Sequence, residues 1–81
     1  MEQEIEQKIK DCLCKTAGLP AEELDPDTML SEYGITSLQF MGCAAEIESI
    51  FDIHLTERDL NDIYTVNDFV DKIGKKLNER A

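Results

Sequence analysis

The chain has 81 residues, 18 of them acidic and 8 basic, so its formal net charge at pH 7 is −10. A chain this short has room for one modest core but not for an enclosed active site as well, which argues against an enzyme. Its charge would repel the phosphates of nucleic acid and of an anionic membrane, so basic protein surfaces are the expected partners.

The sequence predicts a monomeric protein of the cytoplasm. It contains no run approaching the roughly 20 apolar residues of a membrane span, and its first ten residues have neither a basic leader nor an apolar segment. Cys12, Cys14 and Cys43 lack paired metal-ligand spacing, so we expect reduced thiols and no metal site. On a helix Cys12 should pack inward and Cys14 should be exposed, while Cys43 should lie in the core.

Residues 2–17 predict the first amphipathic helix, which Gly18 ends. The helical spacing is carried by Ile5, Ile9, Cys12, Leu13 and Thr16. Residues 19–35 contain both prolines and predict a long loop, with one helical turn at Pro20 to Glu23. Such a loop must be held across the helices by inward-pointing anchors, for which the candidates are Leu24, Met29 and Leu30.

The next helix is predicted to begin at Thr36, because Thr36 and Gln39 have the spacing of a capping box. Ser37 then occupies the first helical position, where its hydroxyl is not needed for capping and should face solvent. The helix dipole and the free amides at this end favour a bound or attached anion, phosphate above all.

Apolar residues of this helix fall on two arcs. The broad arc predicts a core face and comprises Phe40, Cys43, Ala44, Ile47, Ile50 and Phe51. The narrow arc comprises Leu38, Met41 and Ala45, which could contact a partner. Helical periodicity alone leaves open the alternative that both arcs are buried in a small bundle.

The remainder predicts two more helices, each begun by a capping box. Thr56 and Asp59 begin a short helix that ends near Asp62, and Thr65 and Asp68 begin a last helix from Val66 to about Asn78. Its apolar stripe comprises Val66, Phe69, Val70, Ile73 and Leu77. The tyrosines, Tyr33 and Tyr64, are predicted to be half-buried. No strand pattern occurs, so the fold class is all-α: a small four-helix bundle with three long helices, one short helix and a long first loop.

The chain resembles the acyl and peptidyl carrier proteins in four segments: GITSL, the helix that follows it, IFDIHL, and LTERDL…YTVNDFVDKI. That family carries 4′-phosphopantetheine on the serine of a Gly-x-Asp-Ser-Leu motif. The resemblance covers nearly the whole chain and implies a single carrier domain over residues 1–81. It implies that a phosphopantetheinyl transferase attaches the arm of coenzyme A to Ser37, and that partner enzymes touch Leu38, Met41 and Ala45.

A carrier of this kind would hold acyl or aminoacyl intermediates as thioesters and present them to enzymes of fatty-acid, polyketide or nonribosomal-peptide-type biosynthesis. Its partners would be loading and condensing enzymes with basic docking surfaces, attracted by Glu46, Glu48, Glu57 and Asp59. The chain departs from the family at Thr36, where aspartate is usual, and at Gln39 and Gly42, where acidic residues are common.

Two other functions compete with the carrier hypothesis. An acidic helical interaction module without a prosthetic group suits every feature except the free serine at the start of the helix. A hydrolase using Ser37 with His54 is poorly supported, because neither a nucleophile elbow nor an oxyanion motif accompanies the pair.

Overall fold

The computed structural model describes residues 2–80 and contains four α-helices, which confirms the predicted all-α bundle. The helices are α1 (Glu2–Ala17), α2 (Ser37–Phe51), α3 (Glu57–Asn61) and α4 (Val66–Arg80). Two 3₁₀ helices interrupt the long first loop, at Ala21–Glu23 and Leu30–Tyr33. The first is the predicted turn after Pro20, and the second was not predicted.

The helix boundaries follow from local hydrogen bonding. Gly18 adopts φ 72°, and its N–H donates to the carbonyl of Cys14 at 2.8 Å, which ends α1 as predicted. At the end of α2 the left-handed residue is Asp52, with φ 53°, a conformation that aspartate tolerates better than most residues. The predicted capping boxes of α3 and α4 are both present: the hydroxyls of Thr56 and Thr65 each accept a backbone N–H at 3.1 Å.

The core lies where α1 packs against both α2 and α4. Its largest fully buried side chains come from these three helices and include Ile9, Leu13, Ile47, Phe69 and Ile73. Phe40 meets Phe69 edge to face, with ring centroids 5.6 Å apart. The apolar stripes predicted for the first and last helices are confirmed, except that Thr16 of α1 is exposed.

The first loop is tied to the connection between α3 and α4. Leu30 N–H donates to the Tyr64 carbonyl at 2.8 Å, and Asn67 N–H donates to the Pro26 carbonyl at 3.0 Å. Met29 and Thr65 form an isolated antiparallel bridge between these two hydrogen bonds. Leu24 and Leu30 are buried, so two of the three predicted anchors are confirmed.

Three predicted inward positions are wrong. Met29 and Ile50 are each 46% exposed, and Tyr64 is 58% exposed. Met29 has an extended backbone and precedes the 3₁₀ helix that begins at the buried Leu30, and Tyr64 follows the buried Ile63 in the non-helical connection to α4. Where the chain is extended, adjacent side chains point to opposite sides. Ile50 belongs to the predicted core arc of α2, but it lies in a groove that the polar residues Lys8 and Asp11 also line.

All three cysteines are free thiols, as predicted. Cys12 and Cys43 are buried, but Cys14 is half-buried and packs against the core, so its predicted exposure is wrong. Burial and a hydrogen bond to Glu46 raise the pKa of Cys12 to about 12, and burial also raises the pKa of Cys43. Both thiols are therefore protonated at neutral pH.

Two properties of residues 2–80 bear on the classes of function considered above. No helix in this range is both long enough and apolar enough to cross a membrane. The range also contains no group of three or more His, Cys, Asp or Glu side chains that could hold a metal ion.

Candidate functional site

Ser37 is the first residue of α2, and its side chain is exposed. The Thr36 hydroxyl accepts the Gln39 N–H at 3.1 Å, and the Gln39 side-chain oxygen accepts the Thr36 N–H at 2.9 Å. This is the predicted capping box, complete in both directions. Because Thr36 supplies the cap, the hydroxyl of Ser37 is left available for chemistry.

The segment leading into α2 is fixed on both sides of the serine. Gly34 ends the second 3₁₀ helix with φ 75°, a value that favours glycine, and its N–H donates to the Ser31 carbonyl at 3.1 Å. Gln39 also donates its side-chain amide to the Thr16 carbonyl at 3.5 Å. The start of α2 is thereby linked to the last turn of α1, which limits how far Ser37 can move.

The electrostatic environment of Ser37 suits an attached anion. The N–H groups of Ser37 and Leu38 have no acceptor within the helix, because they belong to its first turn. The positive end of the dipole of this 15-residue helix points toward the serine. The first turn of α2 contains no acidic residue. A phosphate ester on Ser37 would therefore meet donors and no carboxylate of its own helix turn.

Two open grooves meet at Ser37 and share Phe40 and Ile63. The larger, of about 660 Å³, runs between α2 and α3 and also contacts Met41 and Glu57. The smaller, of about 160 Å³, lies on the other side of Ser37, between the first loop and the connection to α4. A group attached to Ser37 can therefore lie along either side of α2.

The narrow apolar arc of α2 faces solvent. Leu38 is 81% exposed and Met41 57% exposed, and Ala45 is exposed one turn further along. The alternative in which both arcs are buried is therefore wrong. Gly42, on the edge of this strip, has no atom within 4 Å of where a Cβ would lie, so packing inside the protein does not require glycine there.

The two acidic residues of α2 that were predicted to attract partners are half-buried and engaged within the protein. Glu46 lies 2.6 Å from Lys15 Nζ, and this hydrogen bond holds the pKa of the Glu46 carboxyl below its usual value. Glu48 accepts the Leu55 N–H at 2.8 Å and lies 3.4 Å from His54 Nδ1. Both carboxylates therefore hold α2 against neighbouring segments as well as adding to the negative field.

The acidic residues of α3 differ from each other. Glu57 is exposed and lines the larger groove beside Ser37. The Asp59 side chain is only 14% exposed; it lies 2.9 Å from Lys76 Nζ and accepts the Thr56 N–H at 2.9 Å. Of the two, Glu57 has the more accessible carboxylate next to the serine.

Ser37 and His54 do not form a catalytic pair. Ser37 begins α2, whereas His54 follows its end, and a 15-residue helix is about 22 Å long. His54 is exposed and faces Glu48. The hydrolase hypothesis therefore has no geometric support.

Sequence reasoning missed two apolar residues at this site, Met29 and Tyr64, which line the smaller groove with Ser37. A signal for their exposure existed in the alternation of side chains along short extended segments. Leu30 and Ile63 are buried, and their neighbours Met29 and Tyr64 point outward. The helical period used for the rest of the chain does not apply to such segments.

Comparison with known proteins adds a family relationship to this geometry. The family described as "Phosphopantetheine attachment site" matches residues 7–73. The acyl carrier protein of Amoebophilus asiaticus is 33% identical over 78 residues, which cover 95% of this chain and 98% of that protein. The non-reducing polyketide synthase dbaI of Emericella nidulans is 35% identical over 78 residues, and pigA of Monascus ruber is 40% identical over 60 residues. The chain spans about 3% and 2% of these two synthases.

Proposed function

The chain belongs to the family of phosphopantetheine attachment domains that includes the acyl carrier proteins, and we propose that Ser37 is its attachment residue. The observation that supports this most strongly is the exposed hydroxyl of Ser37 at the first position of α2. Thr36 performs the capping, so attachment at Ser37 removes no hydrogen bond from the helix cap.

The residues around Ser37 fit the group that the family carries. The phosphate of 4′-phosphopantetheine would be held by the N–H groups of Ser37 and Leu38 and by the helix dipole. The two grooves beside Ser37 present apolar side chains to the rest of the arm. When attached, the arm supplies a terminal thiol that holds an acyl group as a thioester.

A phosphopantetheinyl transferase would load the protein from coenzyme A. The Ser37 Oγ attacks the phosphorus atom that bears the pantetheine, and a new O–P bond forms. The pyrophosphate P–O bond of coenzyme A breaks, adenosine 3′,5′-bisphosphate leaves, and the proton of the serine hydroxyl passes to a base of the transferase. Capping by Thr36 leaves the Oγ lone pairs free for this attack.

In this proposal the chain is a carrier and not a catalyst. It raises the local concentration of a tethered intermediate at successive enzymes of fatty-acid or polyketide synthesis. The relatives named above are an acyl carrier protein and polyketide synthases, which favours acyl over aminoacyl cargo. We place the protein in the cytoplasm as a monomer of one domain, residues 1–81.

The proposed partner face comprises the exposed strip Leu38, Met41 and Ala45 and the carboxylate of Glu57. Glu46, Glu48 and Asp59 strengthen the negative field that attracts basic partner surfaces, although they are also engaged inside the protein. Loading and condensing enzymes would use the apolar strip for contact and the acidic residues for approach.

Mass spectrometry of the intact protein tests the proposal. Wild type and Ser37→Ala are incubated with coenzyme A, Mg²⁺ and a transferase of broad specificity. We expect the mass of one phosphopantetheine on wild type and none on Ser37→Ala; Ser31→Ala, which alters another serine of the smaller groove, should be modified like wild type. An unmodified wild type would favour the alternative, an acidic interaction module without a prosthetic group.

A further inference from the structure

The exposed apolar side chains of this protein are concentrated around Ser37. Five large hydrophobic residues within 2–80 are exposed, and four of them surround the serine: Met29, Leu38, Met41 and Tyr64. Leu38 follows Ser37 in the chain, Met41 lines the larger groove, and Met29 and Tyr64 line the smaller one. The fifth, Ile50, lies in the last turns of α2, away from the serine.

Met29 and Tyr64 are held side by side by their backbones. The bridge between Met29 and Thr65 and the hydrogen bond from Leu30 N–H to the Tyr64 carbonyl join the two segments. The Met29 and Tyr64 side chains are 46% and 58% exposed, so packing in the core does not explain why apolar residues occupy these positions. Exposed apolar side chains that lie together, as these do, are a feature of interaction sites, whereas single exposed ones need no explanation.

The charge around this pair selects the kind of partner. The chain has no Lys or Arg between Lys15 and Arg58, and this segment contains nine of the 18 acidic residues. Met29, Ser37 and the strip on α2 all lie within it. A complementary surface would therefore carry apolar side chains surrounded by Lys and Arg.

We propose that Met29 and Tyr64 form a docking surface for the enzyme that attaches the arm to Ser37, an inference that rests on the proposed function. The transferase must bring a phosphorus atom within bonding distance of the Ser37 Oγ, so it must also contact the groove that contains the serine. Enzymes acting later receive a group at the far end of the arm, so they can dock on the strip of α2 without entering the smaller groove. Met29 and Tyr64 therefore serve the loading step in particular.

Steady-state kinetics of loading test this surface. Tyr64→Ser and Met29→Ser remove the exposed apolar groups and leave the backbone bridge in place. Each is expected to raise the transferase KM for the carrier by roughly fivefold, the effect of losing about 1 kcal/mol of interface contact, with little change in kcat. Tyr64→Phe, which keeps the ring, should behave like wild type.

Ile50→Ser is the matched control, because Ile50 is 46% exposed, like Met29, but lies away from Ser37. It should leave both KM and kcat unchanged. Binding of the transferase to Ser37→Ala carriers, measured by calorimetry with and without Tyr64→Ser, separates docking from chemistry and should show the same loss of affinity. If melting shows that Tyr64→Ser or Met29→Ser is unfolded, the other of these two variants decides the result.

The inference would be overturned by an unchanged KM for Tyr64→Ser and Met29→Ser when these variants are folded. An equal rise in KM for Ile50→Ser would also overturn it. Sedimentation of the unmodified wild type supplies a further check, because a dimer that Tyr64→Ser converts to a monomer would mean that the pair serves self-association. If wild type itself gains no arm at Ser37, the proposed function fails and not only this inference.

Discussion

At the scale of single residues, the register of α2 decides whether the Ser37 hydroxyl is free for the proposed attachment. Threonine and serine are both good N-cap residues, so the sequence Thr36-Ser37 offers two possible starting points. Gln39 lies three residues after Thr36 and completes the box, because its side chain accepts the Thr36 N–H. The residue three after Ser37 is Phe40, whose side chain cannot accept a hydrogen bond from the Ser37 N–H. Gln39 therefore favours the register that leaves the Ser37 hydroxyl free.

We predict that Thr36→Ala lowers the free energy of unfolding by about 1 kcal/mol, because the hydroxyl that caps Gln39 N–H is lost. Loading of Ser37 should also slow, since Ser37 becomes the remaining candidate for the cap. Thr36→Asp should keep or slightly raise stability, because aspartate caps well and its charge suits the helix N-terminus. Urea unfolding of wild type, Thr36→Ala and Thr36→Asp measures the changes in the free energy of unfolding.

Initial rates of loading then compare Thr36→Asp with wild type under a general-purpose transferase. A faster rate for Thr36→Asp is expected if such enzymes recognise the aspartate usual in the family. An equal or slower rate would mean that threonine is adapted to a transferase of this protein's own. A stability of Thr36→Ala equal to that of wild type would contradict the capping role.

At the scale of elements, the sequence predicts helices far better than the segments between them. All four helices and the capping boxes of α2, α3 and α4 could be predicted, because a period of 3.6 residues repeats along the longer helices and each box has a fixed spacing. Met29 and Tyr64 could not be placed by that period. Their position side by side depends on pairing between segments far apart in the chain, which no local pattern reports.

The candidate site also has features that could be predicted from the sequence and features that could not. The exposure of Ser37 follows from local capping and could be predicted. The burial of Asp59 depends on α4, whose Lys72 and Lys76 lie 3.6 Å and 2.9 Å from its carboxylate. Neither of these contacts has a sequence signature. The helical wheel placed Ile50 on the core arc, but the structure leaves it 46% exposed beside a groove with polar neighbours.

Helix α3 has only five residues, too few to be stable without tertiary contacts. Asp59 caps its N-terminus and pairs with Lys76 of α4, and these contacts hold the pKa of the Asp59 carboxyl well below its usual value of 3.8. Because the pKa is lowered by folding, the charged form stabilises the protein above about pH 4. That contribution is lost as the pH falls toward the lowered pKa.

We therefore predict that Asp59→Asn destabilises the protein at pH 7, and that its difference from wild type shrinks below about pH 4. Asp71→Asn, at an exposed position of α4, is the control and should not reproduce this pattern. Chemical unfolding between pH 7 and pH 2 measures both variants. A difference between Asp59→Asn and wild type that is equal at pH 7 and pH 2 would show that the carboxylate charge does not support α3.

At the scale of the whole molecule, negative charge is spread unevenly. The basic residues lie in α1 and α4 apart from Arg58, so ion pairs such as Lys15–Glu46 and Lys76–Asp59 tie the acidic middle of the chain to its two ends. The remaining acidic side chains repel one another. The charge that we propose attracts basic partners therefore also weakens the compact state.

The molecule measures 34 × 24 × 20 Å, and the Debye length falls from about 30 Å at 0.01 M salt to about 8 Å at 0.15 M. At the lower concentration charges repel across the whole protein, and at the higher one only near neighbours interact. We therefore predict that the melting temperature rises between these concentrations. The double variant Glu23→Gln with Glu32→Gln, which removes two exposed charges, should melt at a higher temperature in low salt and respond less to added salt. A melting temperature indifferent to salt in both proteins would mean that the ion pairs to α1 and α4 already compensate the excess charge.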